Sequence, residues 1–198
     1  MMLLAASGCH LESYPYRSEG FGFEVAFPPG GTVCTTVPGF FNRNVNGFYA
    51  WYDSGRITCR SEQVQRGMTV LGIRADYNTA EWPAERLLSG HCLDGSRLGI
   101  DIARVRALSF PAHASLTCLS QDEDGAIEVE VVTQAGDPLN SGDQPSINYT
   151  ALLITTPARF EANLARFRTF LASARITPVS IGEVPPDDAP MAPPMTAG

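Results

Sequence analysis

Along much of the chain the apolar side chains recur at every second residue, the period of a strand with one buried face. Residues 20–27 set Phe21, Phe23, Val25 and Phe27 against Gly22, Glu24 and Ala26. Pro28-Pro29-Gly30-Gly31 turns the chain into a short strand over 32–36 that carries Cys34. After a loop over 37–47, Phe48-Tyr49-Ala50-Trp51-Tyr52 predicts a strand with aromatics on both faces, and residues 56–60 bring in Cys59. Residues 68–77 alternate Val70, Gly72, Arg74 and Asp76 against Leu71, Ile73 and Ala75. A short helix is predicted over 79–90, with Pro83 in its first turn and Gly90 as its stop. Strands are expected over 104–110 and 114–120. Asp122-Glu123-Asp124-Gly125 then turns into a strand over 126–134, with Ile127, Val129 and Val131 on one face and Glu128 and Glu130 on a wet one.

The last third follows a different period. Residues 147–155 predict a strand, and Thr156 is placed to cap a helix with Pro157 at its first position. Phe160, Leu164, Phe167 and Leu171 form one apolar stripe opposite Glu161, Arg166 and Arg168, and the helix runs to about Ser173. Arg175-Ile176-Thr177 predicts a final short strand. From Pro178 onward, prolines crowd beside acidic and small residues, the composition of a disordered tail. Residues 10–19 are polar and mixed, as in a tether. The expected organisation is a truncated lipoprotein signal and tether over 1–19, one domain over 20–177 and a tail over 178–198. Its class is α+β, an antiparallel sheet carrying a short middle helix and a longer C-terminal amphipathic helix.

Charge and composition narrow the functions. The 198 residues carry a net charge of −7, and all 14 basic residues are arginines. An acidic chain is a poor match for phosphate backbones, so no nucleic-acid partner is expected. The lack of lysine excludes Schiff-base and phosphate-loop lysine chemistry.

Five widely spaced cysteines, Cys9, Cys34, Cys59, Cys92 and Cys118, provide neither the paired ligands of a zinc site nor a Cys-x-x-Cys redox motif. The four in the body suit two disulfides in an oxidising compartment. Three connectivities are open; Cys34 with Cys59 and Cys92 with Cys118 are preferred because each pair flanks one local unit. Cys9 follows Ala6-Ser7-Gly8, small residues preceded by leucines. This is the pattern of a lipidated cysteine, although the upstream segment is uncharged and short for a secretory signal. The alternative is an ordinary flexible N-terminus with a stray cysteine.

No catalytic set emerges, and the chain is expected not to be an enzyme. His-Glu-x-x-His, Gly-x-Ser-x-Gly, phosphate-loop and dinucleotide patterns are missing. His91 beside Cys92 reads as a loop histidine next to a disulfide cysteine. Asp122-Glu123-Asp124-Gly125 lacks the ligand spacing of a calcium loop. No metal and no cofactor are expected. The segment that stands out runs from Phe40 to Tyr52, with six aromatics, Arg43 and three asparagines. Phe48, Trp51 and Tyr52 fit the core. Phe40, Phe41 and Arg43 lie in a polar loop and are candidates for partner contact, with internal packing as the alternative.

The Ala6-Ser7-Gly8-Cys9 run with a compact α+β body resembles bacterial periplasmic immunity lipoproteins, including the lipase-directed type found beside type VI secretion effectors. The closing pattern, Tyr149-Thr150-Ala151-Leu152-Leu153-Ile154 followed by the helix from Ala158 and Arg175-Ile176-Thr177, is similar to PsbP-like folds. The resemblance implies a periplasmic protein held to a bacterial membrane by lipid on Cys9, with a toxin or effector as protein partner. It carries over no functional residue, because the family has no fixed motif. A structural cell-envelope lipoprotein and a small-molecule or metal carrier are the alternatives.

Overall fold

Alternation at period two commits a segment to having one face in and one face out, and the chain applies this rule to two sheets. The computed structural model describes residues 13–35, 46–53, 67–78, 80, 82–88, 92–136 and 146–177. The small sheet is three-stranded and antiparallel, ordered β1 (Tyr14–Ser18), β2 (Phe23–Phe27) and β9 (Arg175–Ile176). The large sheet has six antiparallel strands. Its chain-order members are β3 (Thr32–Thr35), β4 (Asn46–Tyr52), β5 (Val70–Tyr77), β6 (Leu116–Gln121), β7 (Ile127–Ala135) and β8 (Ile147–Thr155). In space they run β3-β4-β5-β8-β7-β6, so β8 enters between β5 and β7. Among the described residues two α-helices complete the α+β fold, α1 (Ile102–Arg106) and α2 (Phe160–Ser173).

The predicted strand faces hold. Tyr49, Leu71, Ile73, Val129, Val131 and Leu153 are buried on the inner face of the large sheet. The small sheet and α2 cover that face, with Phe23 against Tyr149 and Phe27 stacked on Phe170. The α2 stripe contains Phe160, Leu164, Phe167 and Leu171 as expected, and Asn163 and Phe170 join it. One loop is fixed by its glycine. Gly31 has φ +85°, and a Cβ there would meet the Tyr52 carbonyl oxygen at 2.2 Å, while the Trp51 indole N–H donates to the Gly30 carbonyl.

Several expectations are corrected. The tether does not extend to residue 19: Tyr14–Ser18 is β1, paired in register with β2 from Tyr14↔Phe27 to Ser18↔Phe23. Its inward residues are polar or hydroxyl-bearing, so they do not look like a core face. The helix expected over 79–90 is reduced to a single 3-10 turn at Ala84–Leu87 that buries none of its residues. The strand expected over 104–110 is α1 followed by an irregular stretch. The Asp101 carboxylate accepts from the Ala103 N–H at 3.0 Å, and that cap outweighs the strand-like Arg104-Val105-Arg106 alternation. Thr156 makes no side-chain cap; a 3-10 turn at Pro157–Arg159 leads into α2 instead. The predicted wet face of β7 is also covered, since Glu130 is only 4% exposed and Glu128 is half-buried.

Candidate functional site

The outer face of the large sheet is chemically unlike the inner one. Strand register sets Arg74 beside Thr150, Asp76 beside Asn148, and Glu130 beside Leu152 and Cys118. Arg74 pairs with Asp76 at 2.9 Å. Burial nevertheless raises the Asp76 carboxyl above its ordinary range, with Arg74 pulling the other way. Burial also raises Glu128, helped by the charges of Glu130 and Asp122. Thr150, 3% exposed, leaves its hydroxyl without a hydrogen-bond partner. Among the described residues no group of histidine, cysteine and carboxylate side chains is arranged to hold a metal ion. The Asp122 carboxylate is spent on its own turn, accepting from the Ala126 N–H at 2.7 Å.

At the end of this face where β5 finishes, the chain presents an aromatic side chain to solvent. Trp82 is 48% exposed, the large apolar side chain that stands out at the surface among the described residues. Its backbone is clamped from two directions. The Asn78 amide accepts from the Trp82 N–H at 2.9 Å and donates back to the Trp82 carbonyl at 2.8 Å. Gln134, at the end of β7, donates to the same carbonyl at 2.7 Å and to Asn148 at 3.0 Å. Ser146 receives a further bond from the Asn78 amide at 3.3 Å, so Asn78 is itself held. An indole left in water on a backbone fixed by three hydrogen bonds is pre-organised for contact, because little chain entropy remains to be lost on docking.

The inner side carries polar groups that are structural. Tyr149 and Tyr77 donate to the carbonyls of Phe21 and Gly20, pinning the β1–β2 turn onto the large sheet. Burial pushes the Tyr16 and Tyr149 hydroxyls above the usual tyrosine range. Asn163 donates to Thr69 at 2.8 Å and to Thr155 at 2.7 Å, closing a buried network at the start of α2. Nearby, Arg159 pairs with Asp53 at 2.6 Å. These bonds are satisfied internally.

Cys92 and Cys118 form a disulfide, the pairing preferred among the three open connectivities, with Cα atoms 5.0 Å apart. A bridge of this kind belongs to an oxidising compartment. Cys34 is buried and also disulfide-bonded; Cys59, its expected partner, lies outside the described residues. Cys9 and the contact candidates Phe40, Phe41 and Arg43 lie outside them too. Trp51 and Tyr52 are core residues as expected. Sequence reasoning overlooked Trp82. Its signal, an aromatic in a polar stretch, is the one that drew attention to Phe40 and Phe41. Its clamp from Gln134, 52 residues away, could not be read from the sequence. No helix among the described residues is long and apolar enough to cross a membrane.

These features define an α+β protein with a disulfide-braced outer face and an exposed, clamped tryptophan. No protein-family model matches the chain, and no curated protein matches it. Among solved structures, it is similar to the solution structure of cyanobacterial PsbP (CyanoP) from Synechocystis sp. PCC 6803. Identity is 10%, the match covers 88% of this chain and 99% of that one, and the TM-score is 0.39. The α+β class rests on the strands and helices described above, not on that distant likeness.

Proposed function

We propose that this protein is a periplasmic binding protein, tethered to a bacterial membrane by lipid on Cys9, that neutralises a secreted toxin such as a lipase by covering it. The observation that carries the reading is the Cys92–Cys118 bridge, which calls for an oxidising compartment. It occurs in a chain whose Ala6-Ser7-Gly8-Cys9 run suits lipid attachment. The exposed indole of Trp82 agrees with a role exercised through a surface.

Fractionation and co-purification test this reading together. The full chain is expected in the membrane fraction, and Cys9→Ser is expected to release it. The soluble variant, co-expressed with the product of the adjacent gene, is expected to retain that product on a column and to suppress its toxicity. A full chain that fractionates as soluble would overturn the anchor. An adjacent product that assembles envelope components, rather than attacking cells, would replace immunity by a structural role.

A further inference from the structure

We propose that Trp82 is the anchor by which this protein grips its partner, and that the partner is a soluble protein offering an apolar pocket with a basic rim. The proposal rests on the reading of the molecule as a tethered binding protein and adds the site and the chemistry of what it binds. Three observations lead to it. The first is the clamp: Asn78 and Gln134 fix the Trp82 backbone with bonds of 2.7–2.9 Å while the indole remains 48% exposed. A tryptophan held this way loses little freedom when it enters a pocket, which is how hot-spot side chains act.

The second observation is where the tether ends. Four residues separate Cys9 from Tyr14, where β1 begins, so over five residue steps a lipid on Cys9 keeps Tyr14 within about 18 Å of the bilayer surface. β1 then runs roughly 13 Å to Ser18. The turn beyond it meets the far end of β5, where the Tyr77 hydroxyl donates to the Gly20 carbonyl at 2.7 Å. Asn78 and Trp82 follow directly. Trp82 therefore lies at the end of the body away from the tether, turned toward a soluble partner and not toward lipid. The third observation is charge. The chain carries a net charge of −7, and its body over 20–177 holds 16 acidic against 13 basic side chains, so it attracts a basic surface and repels a second copy of itself.

The test uses the full-length, membrane-anchored protein in the producing cells, with Trp82 replaced by photoreactive p-benzoylphenylalanine. The control places the same group at Glu123, in the β6–β7 turn at the opposite end of the large sheet. Illumination is expected to give an adduct with a soluble protein from position 82 and none from position 123. That protein, identified by mass spectrometry and purified, is then titrated with the wild type, Trp82→Ala, Trp82→Phe and Gln134→Ala. Trp82→Ala is expected to weaken binding by about 30-fold or more, with smaller losses in the other two, while its melting temperature stays unchanged. Affinity for the wild type is expected to fall as salt rises.

A phospholipid adduct, an adduct with a second copy, or no adduct above the control overturns the proposal. So does a purified partner that binds Trp82→Ala as tightly as the wild type. Salt-independent affinity removes the basic rim. If Trp82→Ala binds normally while the wild type still holds its partner, the binding-protein reading survives and only this site falls. If the co-purification above also returns nothing, both fall.

Discussion

The two faces of the large sheet share the same strands and the same backbone hydrogen bonds, yet they are built differently. The inner face is aliphatic and aromatic. It is closed by α2 and the small sheet, and its few polar atoms are bonded, as in the Asn163–Thr69–Thr155 network. The outer face buries charge: Glu130 is covered, Glu128 and Asp76 are half-covered with raised carboxyl pKa values, and Thr150 keeps an unsatisfied hydroxyl. Buried charge and an orphaned hydroxyl cost free energy, so the outer face is the less stabilising of the two. What braces the outer side is covalent, through Cys118, and the exposed Trp82 sits at its end. The inner face holds the fold; the outer face carries its buried charge and its covalent brace.

The largest expected effect belongs to the inner face. Phe167→Ala removes a fully buried ring that stacks on Phe170, and should lower unfolding free energy in urea by about 4 kcal/mol. A loss below about 1 kcal/mol would mean that the α2–sheet contact is not the main source of stability. Next comes the outer brace. Replacing Cys92 and Cys118 together by serine opens a loop with a sequence separation of 26, worth roughly 3.5 kcal/mol in the chain-entropy model. If the double variant unfolds at the wild-type urea concentration, the outer face does not depend on its bridge.

Two smaller changes should act in the opposite direction. Thr150→Val replaces the unsatisfied hydroxyl by a methyl group of similar shape, and should raise stability by about 1 kcal/mol. A loss instead would show that the hydroxyl has a partner in solution. The smallest effect is expected for Glu128→Gln. A carboxyl whose pKa is raised by folding contributes stability below its unfolded pKa and loses it as pH rises through the folded value. The wild type should therefore lose this contribution between mildly acid and neutral pH, and Glu128→Gln should melt about 1–2 °C higher at pH 7 with no gain at pH 4. Equal gains at both values would attribute the effect to packing and not to charge.

Period-two alternation in residues 20–27, 68–77, 126–134 and 147–155 announced β2, β5, β7 and β8, and the Phe160-Leu164-Phe167-Leu171 stripe announced α2. Each depends only on which face of one element avoids water, and neighbouring residues in the chain carry that information. The same local logic led astray where polar residues point inward or a cap intervenes. β1 buries Ser18 and half-buries Tyr16, whose hydroxyls find partners across the sheets, so its pattern looked like a tether. Arg104-Val105-Arg106 alternates like a strand, yet the Asp101 side chain starts a helix there.

The sequence by itself determined the α+β class, the alternation of the main strands and the long helix; it left three cysteine connectivities open, and the structure joined Cys92 to Cys118. Only the tertiary structure decided that β8 inserts between β5 and β7, which makes one six-stranded sheet of two hairpin systems. It also decided that the Glu128–Glu130 face is covered, and that Asn78 and Gln134 converge on the backbone of Trp82. Burial of a face follows from local pattern because water acts on each side chain separately. Convergence of groups 52 residues apart depends on which strands pair, and the chain settles that only when the whole sheet closes.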